Sequence, residues 1–278
     1  GKIIGDFTVT CTGENEFQLT ASYGSQNFHL RWLLLNQWNN VKIENVSDKL
    51  TGFQVAGPNS RVLLQKITSF NINDLKFRDA FAIKISDVPC FIQRVTYTAD
   101  LGYEIYCEPK HQIELWNNLW KAGEEYSIKP FGMRAMMSLR LDKFFGSWMF
   151  EFSPDYTPAE TGLDRFINFK KEDDFIGKKA VLEQKKNPPL RKLCAFEVDA
   201  NEADVTSYEP IFKDDKVIGF CTSGGYSHHT KKSIAQGFIP TSLISKNLKV
   251  KIEILGELRS ATILLDPIFD PENLKMTS

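Results

Sequence analysis

Long hydrophobic runs are missing from this chain, and no apolar stretch approaches the roughly 20 residues that a membrane-spanning helix needs. Neither sign of charge dominates, because 34 basic side chains are balanced by 35 acidic ones. Bulk charge therefore gives no reason to expect nucleic acid or an anionic membrane as a partner. The opening residues GKIIGDFTVT lack the apolar segment of a signal peptide. These absences predict a soluble protein of the cytoplasm, with the mitochondrial matrix as the alternative compartment.

Cysteine and histidine are too few and too scattered to predict a metal site. The chain has 5 cysteines, an odd number, and no two of them have the C-x-x-C spacing. Neither a disulfide framework nor a zinc site is indicated, which favours a reducing compartment. The adjacent His228 and His229 cannot point the same way from a strand, so a polar loop is favoured over a shared metal. We expect no metal.

The common catalytic fingerprints are absent as well. The sequence has no G-x-G-x-x-G loop after a strand, no Walker A loop, no H-E-x-x-H and no G-x-S-x-G. With these motifs absent, the sequence favours metal-independent chemistry on a tightly held ligand. The aromatic share of 12% suits a heterocyclic ligand, although aromatic side chains are also ordinary core residues.

Mixed helical and strand patterns fill the first two thirds of the chain. Residues 6–11 and 16–21 alternate as an antiparallel hairpin in which Asp6 points away from the apolar face. Residue 104 lies on the side of its strand opposite Tyr103, Ile105 and Cys107. Further strands are predicted at 52–56, 92–98 and 101–107, and helices at 25–36, 58–67, 110–126 and from Gly132 onward, with Arg134 in the first turn of the last helix. The predicted apolar stripe of the helix at 110–126 consists of Ile113, Trp116, Leu119 and Trp120.

Short strands with turn signals follow the segment KKNPPL, a predicted linker within residues 184–190. They recur at nearly even spacing from residue 191 to residue 265, and include RKLCAFEV at 191–198 and KSIAQGFIP at 232–240. This is the pattern of a small barrel or jelly roll. The predicted fold class is therefore α+β, with an α+β domain at 1–187 and an all-β domain at 188–278. A strand pattern that begins almost at the first residue indicates a fragment of a longer polypeptide.

An ordered set of motifs carries a family resemblance that no single motif would carry. The set resembles the glycine-cleavage T-protein (aminomethyltransferase) family over nearly the whole chain. Within it, the likeness is greatest to the C-terminal tetrahydrofolate-binding part of dimethylglycine dehydrogenase, with sarcosine dehydrogenase next. The motifs are GKIIGDFTV at 1–9, VAGPNSRVLLQKIT at 55–68, RVTYTADLGYEIYCEP at 94–109, the stretches 132–167 and 174–181, and GFCTSGGYSHHTKKSIAQGFIP at 219–240.

The resemblance implies a three-lobed fold around a central folate hole, ending in a β-barrel lobe. It also implies incompleteness at the N-terminus, because the family's folate module has roughly a third more chain upstream. The implied activity takes a one-carbon unit from a methylated amine and yields 5,10-methylenetetrahydrofolate. Any FAD would belong to a fused upstream domain or a flavoprotein subunit. The alternatives are a catalytically silent regulatory or binding protein of this fold and a stand-alone glycine-cleavage aminomethyltransferase.

The resemblance also implies roles for individual residues. Asp6 matches the family's catalytic aspartate near folate N10, where an anion can stabilise positive charge and relay a proton. Glu104 and Tyr97 match residues that hold the pterin, and Arg134 matches an arginine that contacts folate. Tyr226, after the Gly224-Gly225 turn, is expected to help close the site from the barrel lobe.

Plain structural roles compete with these assignments. Alternation alone favours a solvated Asp6, and Glu104, Tyr97 and Arg134 could be a surface charge, a core aromatic and a surface arginine. For Glu160, in the family motif TPAETGL, we expect a structural role. Thr96 and Ala99 stand where the family often has glycine, which predicts an altered turn beside the pterin.

Overall fold

The computed structural model describes all 278 residues and divides them into two compact units. The barrel unit comprises Gly1–Phe7 and Met137–Phe269, and the sheet unit comprises Thr8–Met136 and Asp270–Ser278. The predicted domain boundary between residues 187 and 188 stays a prediction. None of the helices combines the length and the apolar content needed to cross a bilayer.

The sheet unit contains a hairpin, a mixed set of helices and a four-stranded sheet. Its strands are β1 Thr8–Gly13, β2 Glu16–Thr20, β3 Thr51–Ala56, β4 Ala80–Ile85, β5 Val88–Gln93 and β6 Gly102–Cys107. Its helices are α1 Gln26–Leu35, α2 Ser60–Gln65, α3 Gln112–Gly123, the start of α4 Met133–Leu139, and the C-terminal α7 Leu274–Thr277.

The four-stranded sheet is antiparallel throughout, in the order β3-β6-β5-β4. Its core lies on one face, where alternate residues such as Ile92 and Ile105 pack with Leu64 of α2 and Leu115 of α3, all fully buried. Because side chains alternate between the two faces of a strand, the residues between these positions share the opposite face. That opposite face carries the candidate site.

The barrel unit is built around a closed six-stranded barrel in the order β10-β7-β12-β11-β8-β9. Gly219 of β9 lies against the backbone of β10, since a Cβ there would meet the carbonyl oxygen of Phe238 at 1.9 Å. The strands are β7 Arg191–Val198, β8 Pro210–Lys213, β9 Lys216–Ser227, β10 Lys232–Pro240, β11 Lys249–Ile254 and β12 Glu257–Leu264; the helices are α5 Pro158–Thr161 and α6 Lys178–Lys186. The predicted all-β barrel is confirmed.

A buried ion pair links several segments of the barrel unit. The side chains of Arg140 and Glu151 are fully buried, with 3.0 Å between Arg140 Nη1 and Glu151 Oε2. The Glu151 carboxylate also accepts hydrogen bonds from the backbone N–H of Ser147 (2.8 Å) and from the hydroxyls of Thr222 and Ser223 (both 2.6 Å). Four donors from this unit therefore occupy one carboxylate.

Glu160 has the structural role expected of it. It forms a reciprocal capping box with Thr157 at the start of α5 and accepts a hydrogen bond from Arg191 Nε at 2.8 Å. These contacts join α5 to β7 and keep the pKa of the Glu160 carboxyl below its usual range, although partial burial acts in the opposite direction.

Four sequence predictions need correction. The first hairpin strand begins at Thr8, so Asp6 precedes the strand instead of lying on it. The predicted strand at 92–98 is β5 at Val88–Gln93, and residues 94–98 form a loop. The predicted linker within 184–190 is partly helical, because α6 continues to Lys186. The predicted apolar stripe of α3 includes Ile113, but this residue is 75% exposed; Leu115, outside the predicted stripe, is fully buried, and Leu119 is buried as expected.

Candidate functional site

Three polar side chains form a row across the sheet unit, on the face opposite the core. Glu104 of β6 is paired in register with Gln54 of β3 on one side and with Gln93 of β5 on the other. Because neighbouring strands lie about 4.8 Å apart, the three side chains are adjacent. We call Gln54, Glu104 and Gln93 the polar row.

The carboxylate at the centre of the row is half-buried and has two donors. Tyr106 Oη donates to Glu104 Oε2 at 2.6 Å, and Gln54 Nε2 donates to Glu104 Oε1 at 3.3 Å. Burial raises the pKa of the Glu104 carboxyl above its usual range, and the two hydrogen bonds partly offset that rise. Burial, together with the nearby carboxylate, raises the pKa of the Tyr106 phenol, which therefore stays a donor.

The flanking glutamines have hydrogen-bonding capacity that the protein does not use. Gln54 Oε1 and both amide atoms of Gln93 are buried without a hydrogen-bond partner. Gln93 is only 1% exposed, so bulk solvent does not reach it. A buried polar group left unpaired costs about 1–3 kcal/mol. This row therefore fits a ligand that presents donors and acceptors side by side.

Gln54 and Gln93 are not among the site residues predicted from the sequence. Each is the polar residue next to buried or half-buried apolar neighbours in its strand, Val55 and Ile92 respectively, which places it on the non-core face. That alternation was visible in the sequence. The strand register that brings both side chains beside Glu104 was not, because it depends on pairing between distant segments.

Tyr97 lies half-buried on the loop between β5 and β6, not on the predicted strand. Gly102 lets this loop approach the sheet, because a Cβ there would lie 2.9 Å from Thr96 Oγ1. Thr96 Oγ1 accepts a hydrogen bond from the Thr98 backbone N–H at 3.2 Å. Ala99 takes a left-handed conformation with φ of 67°, which glycine adopts at lower cost. The turn thus forms with neither of the glycines that the family often has.

Arg134 lies in the first turn of α4, as predicted, and its side chain is exposed. Its neighbours Met133 and Met136 line a cavity of about 580 Å³ in the sheet unit, which Gln54 of the polar row also lines. Most of the remaining lining is apolar and aromatic and includes Phe53, Trp116, Trp120, Tyr126 and Phe131. Glu104, Tyr97 and Arg134 all belong to the sheet unit.

Asp6 belongs to the barrel unit. Its segment is held by Ile3, which is buried against Tyr156 and Phe238 and donates its backbone N–H to the Tyr156 carbonyl at 3.0 Å. The Asp6 side chain remains accessible to solvent, yet the surrounding protein desolvates it enough to raise the pKa of its carboxyl. A carboxyl with a raised pKa is better suited to exchanging protons than an ordinary surface aspartate.

Tyr226 lies near the end of β9, with its residue 38% exposed and its ring edge-on to that of His228 at 5.1 Å. It lines a second cavity of about 580 Å³, with polar walls that include Lys231 and Lys232. His228 and His229 form the turn after β9, and His229 Nδ1 lies 2.7 Å from Asp142 Oδ2. No group of three or more histidine, cysteine or acidic side chains is placed to hold a metal ion.

Two family models together cover most of the chain. The GCVT N-terminal domain matches residues 1–171, and the glycine cleavage T-protein C-terminal barrel domain matches residues 191–270. The chain belongs to the glycine cleavage T-protein family. The family resemblance predicted from the ordered motifs is confirmed.

Individual relatives of this T-protein family member fall into two groups. Human mitochondrial dimethylglycine dehydrogenase is 34% identical to it, over 96% of this chain and 32% of that protein. The aminomethyltransferase of Caldanaerobacter subterraneus is 33% identical, over 99% of this chain and 73% of that protein. The chain thus spans about a third of the dehydrogenase and about three quarters of the transferase.

A solved structure confirms the T-protein fold. The aminomethyltransferase T of the Bartonella henselae glycine cleavage system superimposes with a TM-score of 0.85 at 22% sequence identity, over 97% of this chain and 73% of that one. The predicted α+β class, with a barrel at the C-terminal end, agrees with this fold.

Proposed function

We propose that this chain is a tetrahydrofolate-binding module that transfers one-carbon units. The observation that carries the proposal is the polar row, a half-buried carboxylate flanked by amide atoms that the protein leaves unpartnered. Membership of the T-protein family and the likeness to aminomethyltransferases support the same activity.

Glu104 is the proposed anchor of the pterin. The amino-pyrimidinone edge of a pterin presents an N–H and an amino group side by side, and a carboxylate accepts both. Tyr106 and Gln54 hold the Glu104 carboxylate in place through the hydrogen bonds described above. Tyr97, Arg134 and Tyr226 are proposed as further folate contacts.

Asp6 is the proposed catalytic residue. Bound tetrahydrofolate would supply the two nitrogen atoms that bond to the one-carbon unit, which stays at the oxidation level of formaldehyde throughout the transfer. Asp6 supplies a carboxyl whose raised pKa allows it to take and return a proton, and whose anion stabilises a neighbouring positive charge.

The proposed source of the one-carbon unit is a methylated amine, as in a dimethylglycine dehydrogenase-like protein that forms 5,10-methylenetetrahydrofolate. Any FAD that oxidises the amine is proposed to belong to another domain or to a flavoprotein subunit. A stand-alone aminomethyltransferase is the second candidate, favoured by coverage of 73% of such an enzyme at 33% identity.

The test combines calorimetry with a transfer assay on the 278-residue chain. We expect tetrahydrofolate to bind both the unaltered chain and Asp6→Asn, because Asp6 is assigned to catalysis. Transfer above the uncatalysed rate should fall by about 100-fold or more in Asp6→Asn. Asp87→Asn, the same change at an exposed position between β4 and β5, is the matched control.

Two outcomes would contradict the proposal. Unchanged transfer by Asp6→Asn would remove its catalytic role. Absence of folate binding by the unaltered chain would reject the folate function, and formation of a stable complex with another protein would then favour a catalytically silent binding protein of the same fold.

A further inference from the structure

We propose that Gln93 and Gln54 are specificity-determining residues on either side of Glu104. Gln93 donates to the ring carbonyl of the pterin, and Gln54 accepts from the amino group, while Glu104 accepts from the ring N–H and the amino group between them. The inference rests on the proposed folate function and deepens it, because it assigns recognition of the whole amino-pyrimidinone edge to the polar row. The observations that carry it are the register of the three strands and the unpartnered amide atoms.

Gln54 is oriented by the glutamate beside it. Its Nε2 donates to Glu104 Oε1 at 3.3 Å, and the carboxylate can only accept, so the amide cannot be reversed without losing this bond. The Gln54 atom that stays buried without a partner is therefore the acceptor, Oε1. This end of the row fits a ligand donor.

Gln93 has no protein partner for either amide atom. Its cross-strand neighbours are Glu104 on one side and Ala80 on the other, and the alanine side chain has no polar atom to offer. Exposure of only 1% excludes bulk solvent as the partner. Gln93 Nε2 is therefore available to donate to a ligand acceptor at this end of the row.

The order of groups along the row matches one edge of a 2-amino-4-oxopyrimidine. Gln93 Nε2 offers a donor, the Glu104 carboxylate offers two acceptors, and Gln54 Oε1 offers a third acceptor. The ring edge presents a carbonyl acceptor, a ring N–H donor and an amino group with two donor hydrogens, in that order. A neutral 2,4-diamino ring replaces the carbonyl acceptor with a donor, which the Gln93 donor does not match, and lacks the ring N–H that the Glu104 carboxylate accepts.

Gln93→Met is the most direct test, because methionine keeps the length and volume of glutamine but removes the amide. We expect the dissociation constant for 5-formyltetrahydrofolate to rise about tenfold in calorimetry, the equivalent of one hydrogen bond. The melting temperature of the ligand-free variant should stay the same or rise, because a buried unpaired group has been removed. Gln112→Met, at an exposed position in α3, is the matched control.

Comparing two ligands on Gln93→Met gives a readout that a structural role would not change. The variant has lost a donor that only the 4-oxo ring can use, so it should bind the 4-oxo folate less tightly and a 4-amino-4-deoxy analogue as tightly or more tightly. We expect the ratio of the two dissociation constants to shift by about tenfold or more towards the 4-amino compound.

The outcomes separate this inference from the proposed function. If the unaltered chain binds no reduced folate, the proposed function is wrong, and this inference is wrong with it. If the unaltered chain binds folate while Gln93→Met keeps its affinity and its preference for the 4-oxo ring, this inference alone is wrong. A Gln93→Met variant that loses thermal stability together with affinity would also overturn it, because Gln93 would then be structural.

Discussion

The sheet unit and the barrel unit each place a glutamate on or beside a sheet, and the two carboxylates differ in what surrounds them. Glu151 of the barrel unit is fully buried and accepts from a cation, a backbone N–H and two hydroxyls. Glu104 of the sheet unit accepts from one phenol and one amide, and its neighbours keep unpartnered atoms. A carboxylate that the protein itself saturates stabilises the fold, whereas one with unused neighbours is available to a ligand.

The largest expected effect is on the stability contributed by the barrel unit. Glu151→Gln should lower the free energy of unfolding by about 3–5 kcal/mol, because Arg140 would keep a buried charge without its counter-ion. Urea unfolding measures this change. Glu183→Gln, at an exposed position in α6, should change stability by no more than about 0.5 kcal/mol. If Glu151→Gln lowers the free energy of unfolding by less than about 1 kcal/mol, the proposed difference between the two glutamates is wrong.

For Glu104 in the sheet unit, we expect a large effect on ligand binding and a small effect on stability. Glu104→Gln should weaken tetrahydrofolate binding by about 10- to 100-fold, the value of hydrogen bonds to a charged group. Its free energy of unfolding should change by less than about 1 kcal/mol, because a desolvated charge is removed along with its hydrogen bonds. Calorimetry and urea unfolding of the same preparation give both numbers. Glu108→Gln, exposed just after β6, is the control, and full folate affinity in Glu104→Gln would contradict the assignment.

A smaller effect is expected when the orienting phenol is removed. Tyr106→Phe deletes the hydroxyl that donates to Glu104 Oε2 and should weaken folate binding about fivefold, equivalent to about 1 kcal/mol. The variant should also raise the pKa of Glu104 further, so that affinity begins to fall at a higher pH on acidification. Tyr208→Phe, 82% exposed in the barrel unit, is the control. If neither the affinity nor the pH at which it falls on acidification changes, Tyr106 does not orient the carboxylate.

The smallest effect concerns the pH dependence of stability. Burial raises the folded-state pKa of Glu104 above the roughly 4.3 of an unfolded chain, so the folded chain binds this proton more tightly. The resulting stabilisation is present below about pH 4 and is lost as the pH rises through the folded-state pKa. Relative to Glu104→Gln, the unaltered chain should therefore lose stability over this interval, by at most about 1.4 kcal/mol per pH unit. A relative gain in stability with rising pH would contradict the sign.

The barrel strands were the most predictable part of the fold. Residues 191–198 and 232–240 form strands with the predicted bounds, because both segments carry apolar side chains that the closed barrel buries. Strand β10 is buried on both faces from Ile234 to Ile239. Strand β5 was misplaced because Pro89 interrupts its pattern, while Arg94–Thr98 contains β-branched residues without forming a strand. The buried side of α3 was misjudged at Ile113, since several apolar residues surround that helix and only packing selects among them.

The sequence predicted which face of its own strand a site residue occupies, but not which strands pair with each other. Alternation placed Glu104 on the face opposite Tyr103, Ile105 and Cys107, and the structure confirms that placement. Gln54 lies 50 residues before Glu104 along the chain, so only the strand register could identify it as a partner. The roles of Asp6, Tyr97, Arg134 and Tyr226 stay predictions that binding and activity measurements will decide.

A crystal structure of the chain bound to 5-formyltetrahydrofolate would show directly whether Glu104 anchors the pterin. We expect the amino-pyrimidinone edge within about 3 Å of the Glu104 carboxylate, with Gln93 beside the ring carbonyl oxygen. An ordered pterin that makes no contact with Glu104 would contradict this expectation.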